Sequence, residues 1–330
     1  MIRRRFVARL VVSGLALAVG LSNFAQAQDY PTKPATMVVA ATEGGPIDVF
    51  GRHLADRMGA LLGQRIVVEN VAGGGGTLGG QHVVRSPADG YTMLLGTLAT
   101  HSNPQLMSSK PLYNPNTDFV PVMLIAELPL VLIVRKDLPV NNIEEFAAYA
   151  KANPGKLSYG SAGVGSSSHL GCVMLSVSIN ADTQHLPYRG TSLAMQDLQA
   201  GKLDFLCEIA VTAVPNIQSG AVKAIATLAK TRTPVLPNLP TAAERRLRVE
   251  AQTWAGIFLP KGTPAPIAAK LREAASAAID TPVLREQLQK LGAVLTKPEQ
   301  RSGEYLSRYV RAEIDRWTKP IRSSGAVPKE

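Results

Sequence analysis

The sequence predicts an α/β protein with largely parallel sheets. Three observations carry that prediction. Short apolar, β-branched runs alternate with stretches of helical periodicity, Pro and Gly punctuate the junctions, and three glycine-rich turns each follow a strand and precede a helix. The chain has 330 residues, 45% of them hydrophobic, which is enough for about two domains with ordinary cores. That apolar content argues against a disordered chain, and two cysteines are too few for a disulfide scaffold.

The first 27 residues read as a secretory signal peptide. Arg3, Arg4, Arg5 and Arg9 lead into an apolar stretch too short to span a bilayer, which ends at Ala25-Gln26-Ala27, with cleavage expected near Ala27. This places the mature protein in the periplasm. Four arginines and no acids lie in the leader, so a formal charge of +10 falls to +6 on cleavage. The remaining basic residues are scattered and lack interleaved aromatics, so no nucleic-acid partner is expected. ATP and NAD are scarce outside the cytoplasm, and no cofactor is expected. Cys172 and Cys207 share an oxidising compartment, but the sequence leaves their pairing open.

The elements follow in order. Residues 36–40 form a strand, 46–62 a helix with Pro near its start, 65–69 a strand, then a glycine run and a helix to about Arg85. Residues 91–96 and 131–134 are strand-like, and 143–152 are helical, closed by Asn153-Pro154-Gly155. Residues 157–160 enter a Gly/Ser loop and a helix over 167–178. Strands at 183–186, 204–206 and 222–228 then flank a helix at 192–200. After a strand at 254–259, Thr263-Pro264 and Thr281-Pro282 each read as an N-cap and first helical residue. Gly292 stops the second of these helices, and 298–317 form a third.

The chemistry concentrates in the turns. Gly73-Gly74-Gly75-Gly76-Thr77-Leu78-Gly79-Gly80 contains a G-x-G-x-x-G match, but no acid lies between Tyr91 and Ser109 to hold a ribose, so dinucleotide binding is rejected. Glu43-Gly44-Gly45-Pro46-Ile47-Asp48 and the loop from Ser161 through Gly163, Gly165 and Ser166 to His169 repeat the arrangement. Such turns gather at the carboxyl ends of strands and present amides at helix N-termini, which suits an anion. None contains lysine, which favours a carboxylate over a phosphate. His53, His82, His101, His169 and His185 lack metal-ligand spacing, and G-x-S-x-G is absent, so neither metal site nor catalytic residue is assigned and the chain is not expected to be an enzyme. Asp48 and Asp197 read as residues that orient loops or cap helices.

The ordered motifs resemble the Bug family, the TctC-like extracytoplasmic solute-binding proteins of tripartite tricarboxylate transporters. They are Gly44-Gly45-Pro46-Ile47-Asp48 with Arg52, Val67-Val68-Glu69-Asn70, Pro87-Ala88-Asp89-Gly90-Tyr91, Tyr113-Asn114-Pro115, Asn153-Pro154-Gly155 through His169, His185-Leu186-Pro187-Tyr188-Arg189-Gly190, and Asp197-Leu198-Gln199-Ala200-Gly201. The resemblance implies a two-lobe periplasmic binding fold, type II-like, each lobe a mixed, mainly parallel sheet flanked by helices. It implies lobe one at 28–127 plus 252–330, lobe two at 128–251, and a small carboxylate, aliphatic or aromatic, in the cleft. The membrane components of a tripartite transporter would be the partners, with the receptor itself a monomer. Glu43, Gly44, Gly45, Asp48, Gly75, Gly76, Thr77 and Thr97 would serve one wall, and Ser161, Gly163, Gly165, Ser166, His169 and Glu208 the other.

Four positions depart from the family pattern. Glu43 stands where a small or apolar residue is usual, Thr77 where Asn is common, and Cys207-Glu208 where a Phe-Asp-like pair is common. An acid at Glu43 beside the pocket would repel a second carboxylate, so a monocarboxylate, or one with a polar or cationic far end, is expected. A ligand sensor for a signalling kinase shares this fold, and an exported serine hydrolase is the remaining alternative.

Overall fold

The computed structural model describes residues 30–323 apart from 102, 103, 105–107 and 109; the leader and its cleavage site lie outside the described residues. The described residues form ten strands: β1 (Ala35–Val39), β2 (Ile66–Asn70), β3 (Thr92–Gly96), β4 (Phe119–Arg135), β5 (Ser158–Ser161), β6 (Gln184–Pro187), β7 (Phe205–Ile209), β8 (Val222–Thr227), β9 (Gln252–Pro260) and β10 (Val294–Leu295). They form one sheet path, β2-β1-β3-β9-β4-β7-β5-β6, with β8 and β10 also paired to β4. The helices are α1 (Pro46–Leu62), α2 (Thr77–Val84), α3 (Leu98–His101), α4 (Ile143–Ala152), α5 (Ser167–Ile179), α6 (Thr191–Gln199), α7 (Ala210–Gln218), α8 (Ala265–Asp280), α9 (Pro282–Lys290) and α10 (Gly303–Ser323). None of the described helices is long and apolar enough to cross a membrane.

Parallel pairing holds in the two wings, β2-β1-β3 and β6-β5-β7. Every pair involving β4 or β9 is antiparallel. The sheet is therefore less parallel than the alternating pattern suggests. The reason is topological: β4 carries the chain from one wing to the other and β9 carries it back, so the two crossings run in opposite directions. From Phe119 to Pro129, β4 pairs with β9; from Leu130 onward it pairs with β7 and β8. A partner change within one strand produces two lobes joined by continuous backbone.

Packing follows the strand period. On β4, Leu130, Leu132 and Val134 join the large core, while Val131 and Ile133 face a second cluster with Leu198, Leu206 and Val214. Helix α1 begins with Pro46 at its first position and buries Ile47, Phe50, Leu54 and Met58, a stripe at helical spacing. The N-cap predicted at Thr263 falls at Pro264; Thr263 instead donates its hydroxyl to the Pro260 carbonyl. Thr281 does occupy an N-cap with Pro282 next. A disulfide joins Cys172 on α5 to Cys207 on β7, with Cα atoms 5.4 Å apart.

Candidate functional site

Both wings end their parallel strands at one cleft. Its wall on the first lobe is the β1–α1 turn (Ala40, Ala41, Thr42, Gly45, Pro46, Ile47), the glycine run (Ala72, Gly73, Gly75, Gly76), and Thr97 with Ala99 after β3. The second lobe supplies Ala162 and Ser166 to Ser168 after β5, Arg189 to Thr191 after β6, and Ile209 after β7. The space between them, open solvent at the mouth included, is about 650 Å³. Helices α1, α2, α5, α6 and α7 all start at this wall. The first amides of a helix have no partner within it, and the helix dipole adds positive potential there.

The charge of the wall is one-sided. No Asp or Glu lines it among the described residues, and Arg189 is its one charged side chain. Glu43 turns away: its side chain is 80% exposed, and its Oε1 lies 3.3 Å from Arg52 Nη2. The repulsion of a second ligand carboxylate expected from Glu43 therefore has no source in the cleft. Asp48 is buried and accepts from the Gly44 amide, Arg52 Nε and Asn70 Nδ2, each at 2.9 Å. Burial alone would raise its pKa, but these donors, Arg52 foremost, hold it below the usual carboxylate value. Asp48 thus fixes the turn as an anion whose charge is already met.

The β5–α5 loop ties itself to helix α5. Ser166 caps the helix by accepting from the His169 amide at 3.3 Å, and donates to the Gly163 carbonyl at 2.7 Å. Ser168 Oγ accepts from the Ala162 amide at 3.1 Å, and His169 Nδ1 accepts from the Gly165 amide at 3.1 Å. An imidazole nitrogen that accepts is unprotonated. Burial, then the neighbouring His185 ring stacked 4.1 Å away, pushes the His169 pKa down to about 3. Ser161 Oγ sits 2.7 Å from His185 Nε2 and donates to the Gly163 carbonyl at 3.2 Å. Thr77 donates to the Gly74 carbonyl at 2.7 Å.

Of the residues singled out from sequence, Gly45, Gly75, Gly76, Thr97 and Ser166 stand in the cleft wall. Glu43, Gly44, Asp48, Thr77, Ser161, Gly163, Gly165, His169 and Glu208 lie outside its lining, most of them bracing the turns from behind. Glu208 is buried beneath Thr191 and accepts from Thr191 Oγ1 at 3.1 Å and Thr212 Oγ1 at 2.5 Å, while its Oε2 has no partner. Burial raises its pKa to about 7 against those hydrogen bonds. Thr42, Ser167, Ser168, Arg189, Gly190 and Thr191 belong to the wall although the sequence reading assigns none of them as a ligand contact. Gly190-Thr191 repeats the glycine-then-helix signal of the other turns, which is how it could have been found.

Residues 50–326 match the sequence model of the tripartite tricarboxylate transporter family receptor, TctC. The chain belongs to this family. It superposes on the periplasmic binding protein BugD with a TM-score of 0.87 at 36% identity, covering 91% of this chain and 100% of that one. MatC from Rhodopseudomonas palustris, solved with bound malate, gives a TM-score of 0.85 at 39% identity over 88% of this chain and 100% of MatC. The R. palustris protein Rpa4515, solved with adipate, gives 0.87 at 32% identity over 91% and 100%. Family and fold make the chain a periplasmic solute-binding protein and not an enzyme. The Ser161–His185 pair belongs to a loop brace, consistent with that reading.

Proposed function

We propose that this receptor captures a small carboxylate, aliphatic or aromatic, between its lobes and delivers it to the membrane components of a tripartite tricarboxylate-type transporter. One observation carries the reading. Helix N-termini from both lobes converge on a single cleft whose wall holds no carboxylate among the described residues. The residues at those termini, Gly45, Gly75, Gly76, Thr97, Ser166 to Ser168 and Thr191, are the proposed contacts, with Asp48, Ser161 and His169 setting their positions. Malate in MatC and adipate in Rpa4515 support the ligand class.

The magnitudes are sufficient. A charge-assisted hydrogen bond contributes about 1.5–3 kcal/mol net, and a micromolar complex needs about 8 kcal/mol. Four such bonds near the middle of that range contribute about 9 kcal/mol, which reaches that affinity with about 1 kcal/mol left for closure. The lobe division at 127/128 and 251/252 is supported by the partner change on β4 after Pro129 and by the start of β9 at Gln252. The receptor acts as a monomer after removal of residues 1–27.

Isothermal titration of the mature protein with C4 to C6 aliphatic acids and with benzoate tests the reading, alongside mass spectrometry of ligand retained through gentle purification. Micromolar binding of at least one acid, competitive with the retained molecule, is expected. A retained ligand that carries no acid group, with no binding of any carboxylate, overturns it.

A further inference from the structure

We propose that the β6–α6 turn is a second anion subsite, in which Arg189 selects ligands carrying two acid groups. The inference rests on the carboxylate reading above and goes beyond it by assigning the far end of the ligand. Arg189 is the one charged side chain in the wall, it is exposed, and no ion pair or side-chain hydrogen bond among the described residues engages it. Other arginines near the turns are already committed: Arg52 to Asp48 and Asn70, Arg135 to Asp204.

A second observation on the same turn points to a ligand. Ser192 Oγ is buried without a hydrogen-bond partner, and it lies 4.0 Å from where a Cβ on wall residue Gly45 would stand. Arg189, Gly190, Thr191 and Ser192 are consecutive, so a guanidinium, the first amides of α6 and an unused hydroxyl sit on one turn. A guanidinium meets a carboxylate with two parallel N–H donors, which neither an amide nor a hydroxyl alone provides. With the α1 and α5 N-termini taking one carboxylate, this turn takes the other. Nothing in the wall opposes a second negative charge, because Glu43 is spent on Arg52 outside it.

The test is a matched titration of succinate against butyrate and adipate against hexanoate. Wild type binds the diacid of at least one pair more tightly than its monoacid partner. Arg189→Met keeps an unbranched, flexible stem and removes the guanidinium with its charge. It weakens the diacid by roughly 10- to 100-fold, leaves the monoacid within about threefold, and keeps the melting temperature of the free protein. Ser192→Ala weakens the diacid less, by roughly three- to tenfold, again without moving the monoacid. Equal losses for both acids of a pair, or no loss for the diacid in Arg189→Met, overturn the subsite while leaving the carboxylate reading intact. No binding of any of the four acids to wild type overturns both.

Discussion

Gly190 faces Thr42 across the mouth of the cleft with no room for a side chain between them; a Cβ placed on Gly190 would collide with Thr42 Oγ1. The two residues belong to opposite lobes, one on the β6–α6 turn and the other on the β1–α1 turn. A second contact of the same kind joins Gly75 to the Val164 carbonyl oxygen. The lips of the cleft therefore meet at two points, Gly190 against the Thr42 side chain and Gly75 against the backbone at Val164.

These contacts give the first prediction. Gly190 has φ −174°, extended backbone open to any residue, so Gly190→Ala tests the contact free of backbone strain. Overpacking costs about 1–3 kcal/mol, which corresponds to roughly 5- to 150-fold in affinity if it falls only on the closed state. The melting temperature of the free protein stays near wild type, while titration with a bound acid shows the loss. Adding Thr42→Gly restores affinity toward wild type. Gly75→Ala is the harsher change, because Gly75 has φ +62° and strains any other residue even in the open form. Unaltered affinity in Gly190→Ala would mean that the lips do not have to touch for binding.

The turns were legible because their signals are local. Gly, Pro and Ser at strand-to-helix junctions announce where amides will be exposed, and β1, α1, α4 and α5 fall close to where periodicity places them. Strand β4 was legible only at residues 131–134, because Pro121 and Pro129 interrupt its pattern. Its register against β9 shifts between Pro121 and Met123 and again between Leu124 and Ala126, which is how a strand accommodates such residues. Helix α7 carries an internal proline, Pro215, that hides it. Within the site, residue type marked each turn but not which side chain faces the cleft. Thr77 and Asp48 bend back onto carbonyl and amide groups of their own turns, a choice that depends on the folded backbone.

Glu208 gives a prediction with a definite sign. Its carboxyl titrates from an ordinary 4.5 up to about 7 in the fold because burial disfavours the charge. Between those values the unfolded chain releases the proton while the folded chain keeps it. The contribution to stability is therefore most favourable below pH 4.5, declines as pH rises toward 7, and is flat above. Glu208→Gln imitates the protonated form and can still accept from Thr191 and Thr212. Its stability relative to wild type, followed by thermal melting, should rise from pH 5 to about pH 7 and level off toward pH 8, the gap reaching about 3 kcal/mol at most. A gap that stays constant over this range would show Glu208 to be ionised throughout.

The histidine stack behaves in the opposite sense. His169 is held neutral by burial and by His185, with its pKa near 3 against an ordinary 6.5. Below pH 6.5 the unfolded chain gains a proton that the folded chain refuses, so stability is lost as pH falls from 6.5 toward 3. Protonation would also leave Nδ1 unable to accept from the Gly165 amide. His169→Asn keeps an acceptor near that amide and removes the titration. Between pH 7.5 and pH 4.5 its melting temperature should fall less than that of wild type, and its ligand affinity should fall less as well. Parallel pH profiles for the two proteins would place the acid sensitivity elsewhere.

The Cys172–Cys207 disulfide pins the first half of α5 to β7, the two elements that end in Ser167, Ser168 and Ile209 of the wall. The cysteines are 35 positions apart, and closing a loop of that length stabilises a fold by about 3–4 kcal/mol in the chain-entropy view. Both residues are fully buried, in the same apolar core as Leu170, Leu130 and Phe205. Hydrophobic packing alone therefore keeps α5 against β7 once the protein is folded. Replacing both cysteines with alanine should lower the denaturant midpoint substantially yet leave affinity at 25 °C within about threefold. The same shift should follow reduction of wild type with dithiothreitol under mild denaturant. If affinity collapsed in step with stability, the bridge would be setting the geometry of the wall as well as stapling the fold.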